Sequence, residues 1–457
     1  MDSLLGKKIH FIGIGGSGMS GLARIALSDG ISVSGSDAKD SSVLAALSAL
    51  GATVYSTHEA AHVTDADVVI YSTAISASNP EMAYAVERSI PILTRAQALA
   101  LLMRGSRSIA VAGTHGKTTT SSMMTVALQA CGVDPSFAIG GTLTASGSNA
   151  HRGTGDIFVA EADESDGSFV EYKPLAAIVT NIEHDHVDFF HTPEAVTEIF
   201  QRFAQTISPQ GFLVYCADDA GSAALGSSDI PCTAISYGEN EDVDLRIDQI
   251  SLQPMGSSAR VIWKGRTVGT LELQVPGHHN VLNAAACLAM GLSLELPAHL
   301  LLEGLHNFRG AGRRFELKAT EHGIRVIDDY GHHPTEITVT LQAARRYAGD
   351  GRVIVIFQPH RFSRTKAFLD EFAIALDLAD DVTLLEIYAA SEKPIHGVTS
   401  AQIAEKMSKG HYIPNFAQAA ERVIEMAKPG DVIFTLGAGD VNSLAPIIAE
   451  GLHRRFA

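Results

Sequence analysis

The 457-residue chain is poor in cysteine, in tryptophan and in long apolar runs. Its four cysteines, Cys131, Cys216, Cys232 and Cys287, are widely scattered without a C-x-x-C pair, which argues against a disulfide framework and a zinc site. No apolar run approaches the ~18 residues that a membrane-spanning helix needs, and the first residues lack the apolar core of a secretory signal. We therefore expect a cytoplasmic protein without membrane insertion.

Positive charge is also scarce, because 34 Lys and Arg oppose 51 Asp and Glu, for a net charge of −17. A general nucleic-acid-binding surface needs a broad basic patch, so nucleic acid is not expected as a partner. An anionic small ligand needs only a local cluster of donors and is compatible with this balance. The composition is that of a globular protein, 46% apolar, at a length typical of about three domains.

Short apolar runs alternate with helix-like segments along most of the chain, which is typical of βαβ units around a parallel sheet. The pattern starts twice, because strand-like runs at Lys8 and Ser108 each lead into a glycine turn and a helix. Between residues 243 and 275 short alternating segments indicate antiparallel strands. From about residue 315 the α/β alternation resumes, with helices expected at 336–347 and 366–378.

The predicted fold class is therefore α/β, with three domains. They are a Rossmann-like domain over residues 1–100, a central P-loop domain over 101–312 that includes the antiparallel segment, and a Rossmann-like domain over 313–457.

The first glycine turn, Gly13-Ile14-Gly15-Gly16-Ser17-Gly18, follows a strand and opens a helix, and Asp37 ends the next strand. This layout matches the dinucleotide-binding fingerprint, in which exposed N–H groups at a helix amino terminus face a diphosphate. From these residues alone, a nicotinamide cofactor, another diphosphate ligand and a merely tight turn all stay open.

The second glycine turn, Gly113-Thr114-His115-Gly116-Lys117-Thr118-Thr119, has the G-K-T ending of a nucleotide triphosphate loop. It is a shortened variant, because Val111 stands where a full Walker loop has its first glycine. We expect Lys117 against the β- and γ-phosphates and the Thr118 hydroxyl on magnesium. The alternative is a chance turn before a helix.

Two acidic segments, 161–166 and 181–188, each follow an apolar strand. A charge run is usually a solvated face, but the ends of buried strands are where an α/β sheet presents ligand groups. Oxygen ligands dominate and no cysteine is near, so a hard cation such as magnesium is expected rather than zinc.

A third set of candidate ligand residues is spread over the last two thirds of the chain. It comprises His278, His279, Asn280 and Asn283 ahead of a helix expected at 284–292, then Arg309, Arg313 and Arg314, and the segments 328–336 and 358–365. The clustered basic groups suit carboxylate or phosphate oxygens. The alternative is surface arginines paired with acidic residues.

Together these motifs resemble the Mur ligase family, in the family's order and over nearly the whole chain. The matching segments are 10–19, 113–119, 161–166, 181–186, 279–284, 312–315, 328–336 and 360–365. The central loop is shared by the whole family. The run from Asp329 to Glu336 resembles the alanine-adding member and its relative that recycles murein tripeptide, and the form of the first glycine turn favours the former.

The resemblance implies ATP-dependent formation of an amide bond between the lactyl carboxylate of UDP-N-acetylmuramate and the amine of L-alanine, through an acyl phosphate, in peptidoglycan synthesis. The three domains would bind, in order, the UDP-sugar, ATP and the amino acid, with magnesium, or manganese, as cofactor. A monomer or weak homodimer is expected. The competing hypotheses are a ligase that adds the tripeptide, a nicotinamide-dependent oxidoreductase, and an ATP-driven switch.

The resemblance also assigns residues. Those for ATP are Gly113, Thr114, His115, Gly116, Lys117, Thr118, Thr119, Asn280, Asn283, Arg314 and Asp329. Those for the UDP-sugar are Gly15, Gly16, Ser17, Gly18, Met19, Ser36, Asp37, Ser72 and Thr73. Those for the amino acid are Tyr330, His332, His360, Arg361 and Arg364. Those for the metal are Thr118, Glu161 and His186, and the catalytic set is Lys117, Glu161, His186, Arg314, Asp329, His332 and His360. The base that deprotonates the amine stays open between His332, His360 and water.

Overall fold

The computed structural model describes residues 3–72, 75–390 and 392–457. The chain folds into an α/β protein with three sheets, one for each of the three domains. None of the helices in the described part of the chain combines the length and the apolar character that crossing a membrane requires.

The first sheet is parallel throughout. Its elements are β1 (Lys8–Ile12), α1 (Ser17–Ser28), β2 (Ser32–Ser36), α2 (Ser42–Ala49), β3 (Thr53–Tyr55), β4 (Val68–Tyr71), α3 (Pro80–Glu87), β5 (Ile92–Thr94) and α4 (Arg95–Met103). The strand order is β3-β2-β1-β4-β5. The order in which successive strands are added therefore reverses at β1, and the first glycine turn lies at this switch point, where α/β sheets bind ligands.

The central sheet is mixed. Its elements are β6 (Arg107–Ala112), α5 (Lys117–Ala130), β7 (Ser136–Leu143), β8 (Ser148–His151), β9 (Ile157–Glu161), β10 (Ala176–Val179), α6 (Pro193–Ala204), β11 (Phe212–Cys216), α7 (Ala220–Gly226), β12 (Thr233–Gly238), β13 (Leu245–Gln253), β14 (Gly256–Trp263), β15 (Arg266–Leu273), α8 (His278–Ser293) and α9 (Ala298–Asn307). The order is β15-β14-β13-β12-β11-β10-β6-β9-β7-β8. β13, β14 and β15 pair antiparallel, which confirms the antiparallel segment predicted over 243–275. β6 lies between β9 and β10, so both acidic segments flank the P-loop.

The third sheet is parallel except for its first strand. Its elements are β16 (Glu316–Glu321), β17 (Ile324–Asp329), α10 (Pro334–Ala348), β18 (Val353–Phe357), α11 (Phe362–Ala367), α12 (Leu369–Leu376), β19 (Asp381–Leu384), α13 (Ala401–Lys406), β20 (Gly410–Tyr412), α14 (Phe416–Met426), β21 (Val432–Leu436) and α15 (Leu444–Phe456). The order is β16-β17-β21-β18-β19-β20. β17 and β18 both pair with β21, so the segments that follow them emerge close together.

Two helix predictions were wrong. The helix expected at 366–378 is two helices, α11 and α12, interrupted at Phe368, whose ring packs edge-on against His333 at 4.8 Å between centroids. The helix expected at 284–292 begins at His278, so the histidines and asparagines assigned to the segment before it lie in its first turns. At Phe368 a contact distant in sequence accompanies the break, whereas α8 begins after Gly277, whose φ of +103° is not helical.

The first two domains also pack against each other. α1 lies on β8, where a Cβ at Gly21 would be 3.2 Å from the Cβ of Ala150, and Asn149 Nδ2 donates a hydrogen bond to Ser17 O at 2.8 Å. The amino terminus of α1 is thereby directed toward the P-loop side of the central sheet.

Candidate active site

A cavity of about 770 Å³, the catalytic chamber, lies where the three domains meet. Its lining combines Ser17 of the first domain, the P-loop and residues that follow strands of the third domain. The other predicted site residues on its wall are Thr114, His115, Gly116, Lys117, Thr118, Glu161, His186, Arg314, Tyr330, His332, His360, Arg361 and Arg364. Residues predicted separately from several motifs therefore face one space.

A second cavity, of about 440 Å³, shares His115 and Arg314 with the chamber. Phe308 of the central domain and Phe315 of the third line it. The other predicted site residues on its wall are Gly116, Thr119, Asn280, Asn283 and Asp329. Apolar walls with a few polar groups are typical of a small-molecule site, and a flat heterocycle would fit beside the P-loop.

The P-loop joins β6 to α5, and its path depends on two glycines with positive φ. Gly113 has φ +133°, and a Cβ there would lie 2.0 Å from Thr180 Oγ1. Gly116, the N-cap of α5, has φ +82°, and a Cβ there would lie 2.8 Å from Asn283 Oδ1. Only glycine permits this close approach, which directs the first N–H groups of α5 toward the chamber.

Asn280 and Asn283 are neighbours on α8, and both are buried. Asn280 Nδ2 donates to Pro276 O at 2.7 Å, which holds the start of the helix. Burial lowers the pKa of the adjacent His279 to about 4, so this imidazole is neutral at neutral pH. The first turns of α8 therefore present uncharged polar groups to the second cavity.

Lys117 is folded back onto its own loop. Its Nζ donates to Gly113 O at 2.8 Å, to Thr114 O at 3.0 Å and to Glu164 Oε1 at 3.0 Å. Burial opposes the charge, but the neighbouring Glu164 raises the pKa of Lys117, so the group is an ammonium ion. Glu164 is itself 1% exposed, and Lys117 is thus the partner of a buried carboxylate.

Thr118 and Glu161 face each other at the start of α5. Thr118 Oγ1 donates to Glu161 Oε1 at 3.0 Å, and Gly140 N donates to Glu161 Oε2 at 2.7 Å. A hydroxyl and a carboxylate fixed side by side at the end of a P-loop fit a magnesium ion, which prefers oxygen ligands.

His186 lies beside a second group of carboxylates rather than beside Glu161. Its Nε2 is 3.4 Å from Glu164 Oε1, and with Asp163 these residues place possible ligand atoms within 4.8 Å of one another. Burial opposes ionisation of Asp163, but the charge of Lys117 lowers its pKa, so it is a carboxylate. This donor set, mostly oxygen with one imidazole, also fits a hard divalent cation.

His115 of the P-loop connects the central domain to the third. Its Nε2 lies 3.4 Å from Glu183 Oε2, and its Nδ1 lies 3.5 Å from Glu336 Oε1 in the first turn of α10. Burial opposes protonation, but the two carboxylates raise the pKa of His115 to about 9. Thr335 Oγ1 also donates to Glu183 Oε2 at 2.8 Å. At neutral pH an imidazolium ion therefore links the two domains.

We expect this link to stabilise the protein less as pH rises. The pKa of His115 is about 9 in the folded protein and 6.5 when unperturbed, so its contribution is complete below about pH 6.5 and is lost as pH rises through 9. The difference corresponds to about 3 kcal/mol. In thermal unfolding, the gap in midpoint between wild type and His115→Gln should shrink between about pH 6 and about pH 10. A gap independent of pH would contradict the assignment, and exposed His191→Gln is the control.

Asp329 organises the start of the third domain. Its Oδ2 accepts from Phe315 N and its Oδ1 from Gly331 N, each at 2.8 Å. Burial raises the pKa of Asp329 to about 6, although the charge of Arg314 opposes this. Arg314 Nη1 lies 3.6 Å from Glu336 Oε1, between the two cavities. Asp329 thus holds the turn that carries Arg314 beside both cavities.

Both arginines predicted for the amino-acid carboxylate are paired with aspartates that follow β10. Arg364 Nε and Nη2 donate to Asp185 Oδ1 at 2.9 and 2.8 Å, and both side chains are under 5% exposed. Arg361 pairs with Asp188, and these two side chains are about one-third exposed. Arg364 is therefore a buried link between domains. The exposed Arg361–Asp188 pair is the one that an incoming carboxylate can more easily replace.

The first glycine turn is tied to the end of β2, because Gly15 N donates to Asp37 Oδ2 at 2.9 Å. Ser36 is fully buried, and its hydroxyl donates to Glu81 Oε2 at 2.5 Å, so Ser36 faces the domain interior. The other predicted UDP-sugar residues at this edge are Gly16, Ser17, Gly18, Met19 and Ser72, whereas Thr73 lies outside the described residues.

Arg95, the first residue of α4, was not singled out from the sequence. Its Cδ would be 3.0 Å from a Cβ at Gly18, and its Nη2 lies 3.9 Å from Asp163 Oδ2. It therefore bridges the first glycine turn and the acidic segment of the central domain. An arginine that opens a helix carries no local signal of such a contact.

Family models match almost the entire chain. They are the Mur ligase family catalytic domain over residues 8–107, the Mur ligase middle domain over 111–291 and the Mur ligase glutamate ligase domain over 313–439. The UDP-N-acetylmuramate--L-alanine ligase of Saccharopolyspora erythraea is 49% identical, over 98% of this chain and 94% of that protein. The corresponding ligase of Paenarthrobacter aurescens is 49% identical over 97% of each chain.

Solved structures give the same result. The UDP-N-acetylmuramate-alanine ligase of Thermotoga maritima superposes with a TM-score of 0.82 at 30% identity, covering 98% of this chain and all of that one. A murein peptide ligase from Psychrobacter arcticus superposes with a TM-score of 0.74 at 25% identity, covering 98% and 99%. On the family models, the relatives and the fold together, the chain belongs to the Mur ligase family.

Proposed function

We propose that this protein uses ATP to join L-alanine to the lactyl carboxylate of UDP-N-acetylmuramate, giving UDP-N-acetylmuramoyl-L-alanine, ADP and phosphate, in peptidoglycan synthesis. One observation carries the proposal. The catalytic chamber brings the P-loop ammonium of Lys117 and the carboxylate of Glu161 together with His332, His360 and Arg361 of the third domain. Phosphoryl-transfer groups thus share one space with groups suited to an amino acid.

The relatives favour alanine over the tripeptide. The curated relatives at 45% to 49% identity are named for L-alanine, and they match nearly the full chain. The murein peptide ligase structure is 25% identical. We therefore place the UDP-sugar on residues 1–100, ATP on 101–312 and L-alanine on 313–457.

The chemistry begins with activation of a poor electrophile. The carboxylate of the sugar takes the γ-phosphoryl group of ATP, which turns its oxygen into a good leaving group. Lys117 would leave Glu164 to neutralise the transferring phosphoryl, and the first N–H groups of α5 would hold the phosphates. Arg314, between the two cavities, would bind the nucleotide phosphates from the side of the third domain.

Thr118 and Glu161 are the residues that would hold one magnesium ion, and His186 with Asp163 and Glu164 those that would hold a second. A bound divalent ion would supply charge neutralisation on phosphate oxygens. The amine of L-alanine then attacks the acyl carbon and phosphate leaves. Arg361 would fix the carboxylate of the amino acid, which directs its amine toward the acyl phosphate.

A substrate comparison tests the proposal. With ATP, magnesium and UDP-N-acetylmuramate present, phosphate release should be stimulated most by L-alanine, less by glycine or L-serine, and least by the murein tripeptide. Stimulation by the tripeptide alone would identify a recycling ligase. Phosphate release that is independent of UDP-N-acetylmuramate would indicate an ATP-driven switch.

A further inference from the structure

Two imidazoles on the third-domain wall of the chamber could accept the proton that the substrate ammonium must lose. His332 and His360 have ring centroids 5.7 Å apart, and both line the chamber. A neutral imidazole accepts a proton only at its unprotonated nitrogen. Which nitrogen that is follows from the partners of the other one.

The partners of His332 Nδ1 can only accept hydrogen bonds. It lies 3.1 Å from Tyr330 O and 3.3 Å from Glu336 Oε2. Burial opposes ionisation of Glu336, but the charges of His115 and Arg314 hold its pKa well below the usual range, so it is a carboxylate. Nδ1 of His332 therefore carries the proton, and Nε2 has a free lone pair.

The partner of His360 Nδ1 can only donate. It lies 3.4 Å from Arg364 Nη1, and a guanidinium has no acceptor atom. Nδ1 of His360 is therefore the acceptor, and Nε2 carries the proton. Burial, with the charges of Arg364 and Arg361, lowers the pKa of His360 to about 3, so the ring stays neutral. Nε2 of His360 is thus an N–H donor, and neither ring nitrogen keeps a free lone pair.

From this difference we infer that His332 Nε2 is the base of the second half-reaction, whereas His360 Nε2–H is a donor to the amino-acid carboxylate. The inference rests on the proposed ligase function. An N–H bond of the alanine ammonium breaks and its proton moves to His332 Nε2. The freed lone pair forms the C–N bond to the acyl carbon, the C–O bond to the phosphoryl oxygen breaks, and the departing phosphate takes that electron pair. The second proton of the former ammonium leaves with the phosphate.

Glu336 supports this role, because a carboxylate on the Nδ1 side stabilises the imidazolium that forms, as in other histidine–carboxylate pairs. The charged and titratable groups facing His332 are Glu336 on α10, Arg364 and His360 at α11, and Asp185 after β10. Burial and Arg364 lower the pKa of His332, so the ring is neutral at neutral pH, whereas Glu336 and Asp185 oppose that shift.

The experiment compares variants of the two histidines in the full-length protein. His332→Asn keeps an N–H donor near the position of Nδ1 but has no base. With ATP and UDP-N-acetylmuramate saturating, it should lower kcat with L-alanine about 100-fold at little cost in KM for L-alanine. Its kcat/KM should then rise about tenfold per pH unit above neutrality, as the free amine becomes available. The wild type should lack this rise.

Two controls separate proton abstraction by His332 from binding of L-alanine and from formation of the acyl phosphate. His360→Leu should raise KM for L-alanine with kcat largely retained, and His360→Gln, which keeps an N–H donor, should restore KM. Hydroxylamine is unprotonated at neutral pH and traps an acyl phosphate as a hydroxamate. Hydroxamate formation by His332→Asn should therefore equal that of the wild type.

A rise in KM alone for His332→Asn, or a kcat loss with alkaline recovery for the His360 variants, would overturn the inference. If His332→Asn and the second variant His332→Gln both unfold like the wild type but form no hydroxamate, His332 acts in activation and the inference is wrong. Wild-type protein that forms neither hydroxamate nor product would instead contradict the proposed function.

Discussion

Replacing Lys117 with Met is expected to lower the ligation rate by about 100- to 1,000-fold, the usual effect of removing one charge-stabilising group from a transition state. Methionine has nearly the same length but carries no charge for the transferring phosphoryl. The affinity for UDP-N-acetylmuramate should not change, because its proposed site is on the first domain, at the glycine turn before α1. Phosphate release and calorimetric titration of the UDP-sugar measure the two effects separately.

Lys117 also stabilises a buried carboxylate, and a control variant separates this structural role from catalysis. Glu164 is buried and paired with Lys117, so Lys117→Met leaves a buried carboxylate without its partner and should cost about 3 to 5 kcal/mol of stability. The double variant Lys117→Met, Glu164→Gln should recover most of that stability but none of the activity. Because Glu164 is also a proposed metal-site residue, the double variant is compared with Glu164→Gln alone, and ligation equal to that of Glu164→Gln would show that Lys117 has a structural role only.

This pairing also shows what the sequence could predict. The P-loop, its strand and its helix are local in sequence, and the structure has them as expected, with α5 at Lys117–Ala130. The partner of Lys117 is 47 residues away, in a run of four carboxylates that are chemically alike. Only the packing of β9 beside β6 decides which of them reaches the ammonium group.

In the third domain, too, the sequence identifies candidate residues but not their distant partners. The histidines and arginines of the segments after β17 and β18 were identified because each motif follows an apolar strand. Their partners could not be identified, since Arg364 and Asp185 are separated by 179 residues. The break between α11 and α12 is similar, because Phe368 is apolar and compatible with a helix, and its contact with His333 across the fold favours the turn.

A second variant with large expected losses of stability and ligation breaks the Arg364–Asp185 pair. Both side chains are under 5% exposed, and Arg364 donates three hydrogen bonds to Asp185 across the boundary between the central and third domains. Replacing Arg364 with Met leaves a buried, unpaired aspartate, which should cost about 3 to 5 kcal/mol. We expect a lower midpoint of thermal unfolding and a loss of ligation, because the third domain can no longer be held against the chamber.

Two further variants separate a charge effect from a packing effect. Arg364→Met with Asp185→Asn removes both charges and should regain most of the lost stability. Lys406→Met breaks an ion pair with Asp370 of similar length, 2.6 Å, whose side chains are 45% and 72% exposed. It should change the free energy of unfolding by less than about 1 kcal/mol. Equal losses for Arg364→Met and Lys406→Met would refute the buried-pair argument.

The pH dependence of this effect has a definite sign. Burial opposes ionisation of Asp185, but the charges of Arg364 and of nearby histidines hold its pKa well below the usual range. A carboxyl group with a lowered pKa contributes stability that is complete above its unfolded pKa of about 4 and is lost as pH falls through the folded value. In Arg364→Met the burial of Asp185 is no longer offset by the guanidinium, which raises the pKa of this carboxyl group in the folded variant, so the stability gap between wild type and variant should be widest near neutral pH and narrow as pH falls through that raised value. A gap that stays constant from neutral pH into strong acid would show that the effect does not arise from the charge of Asp185.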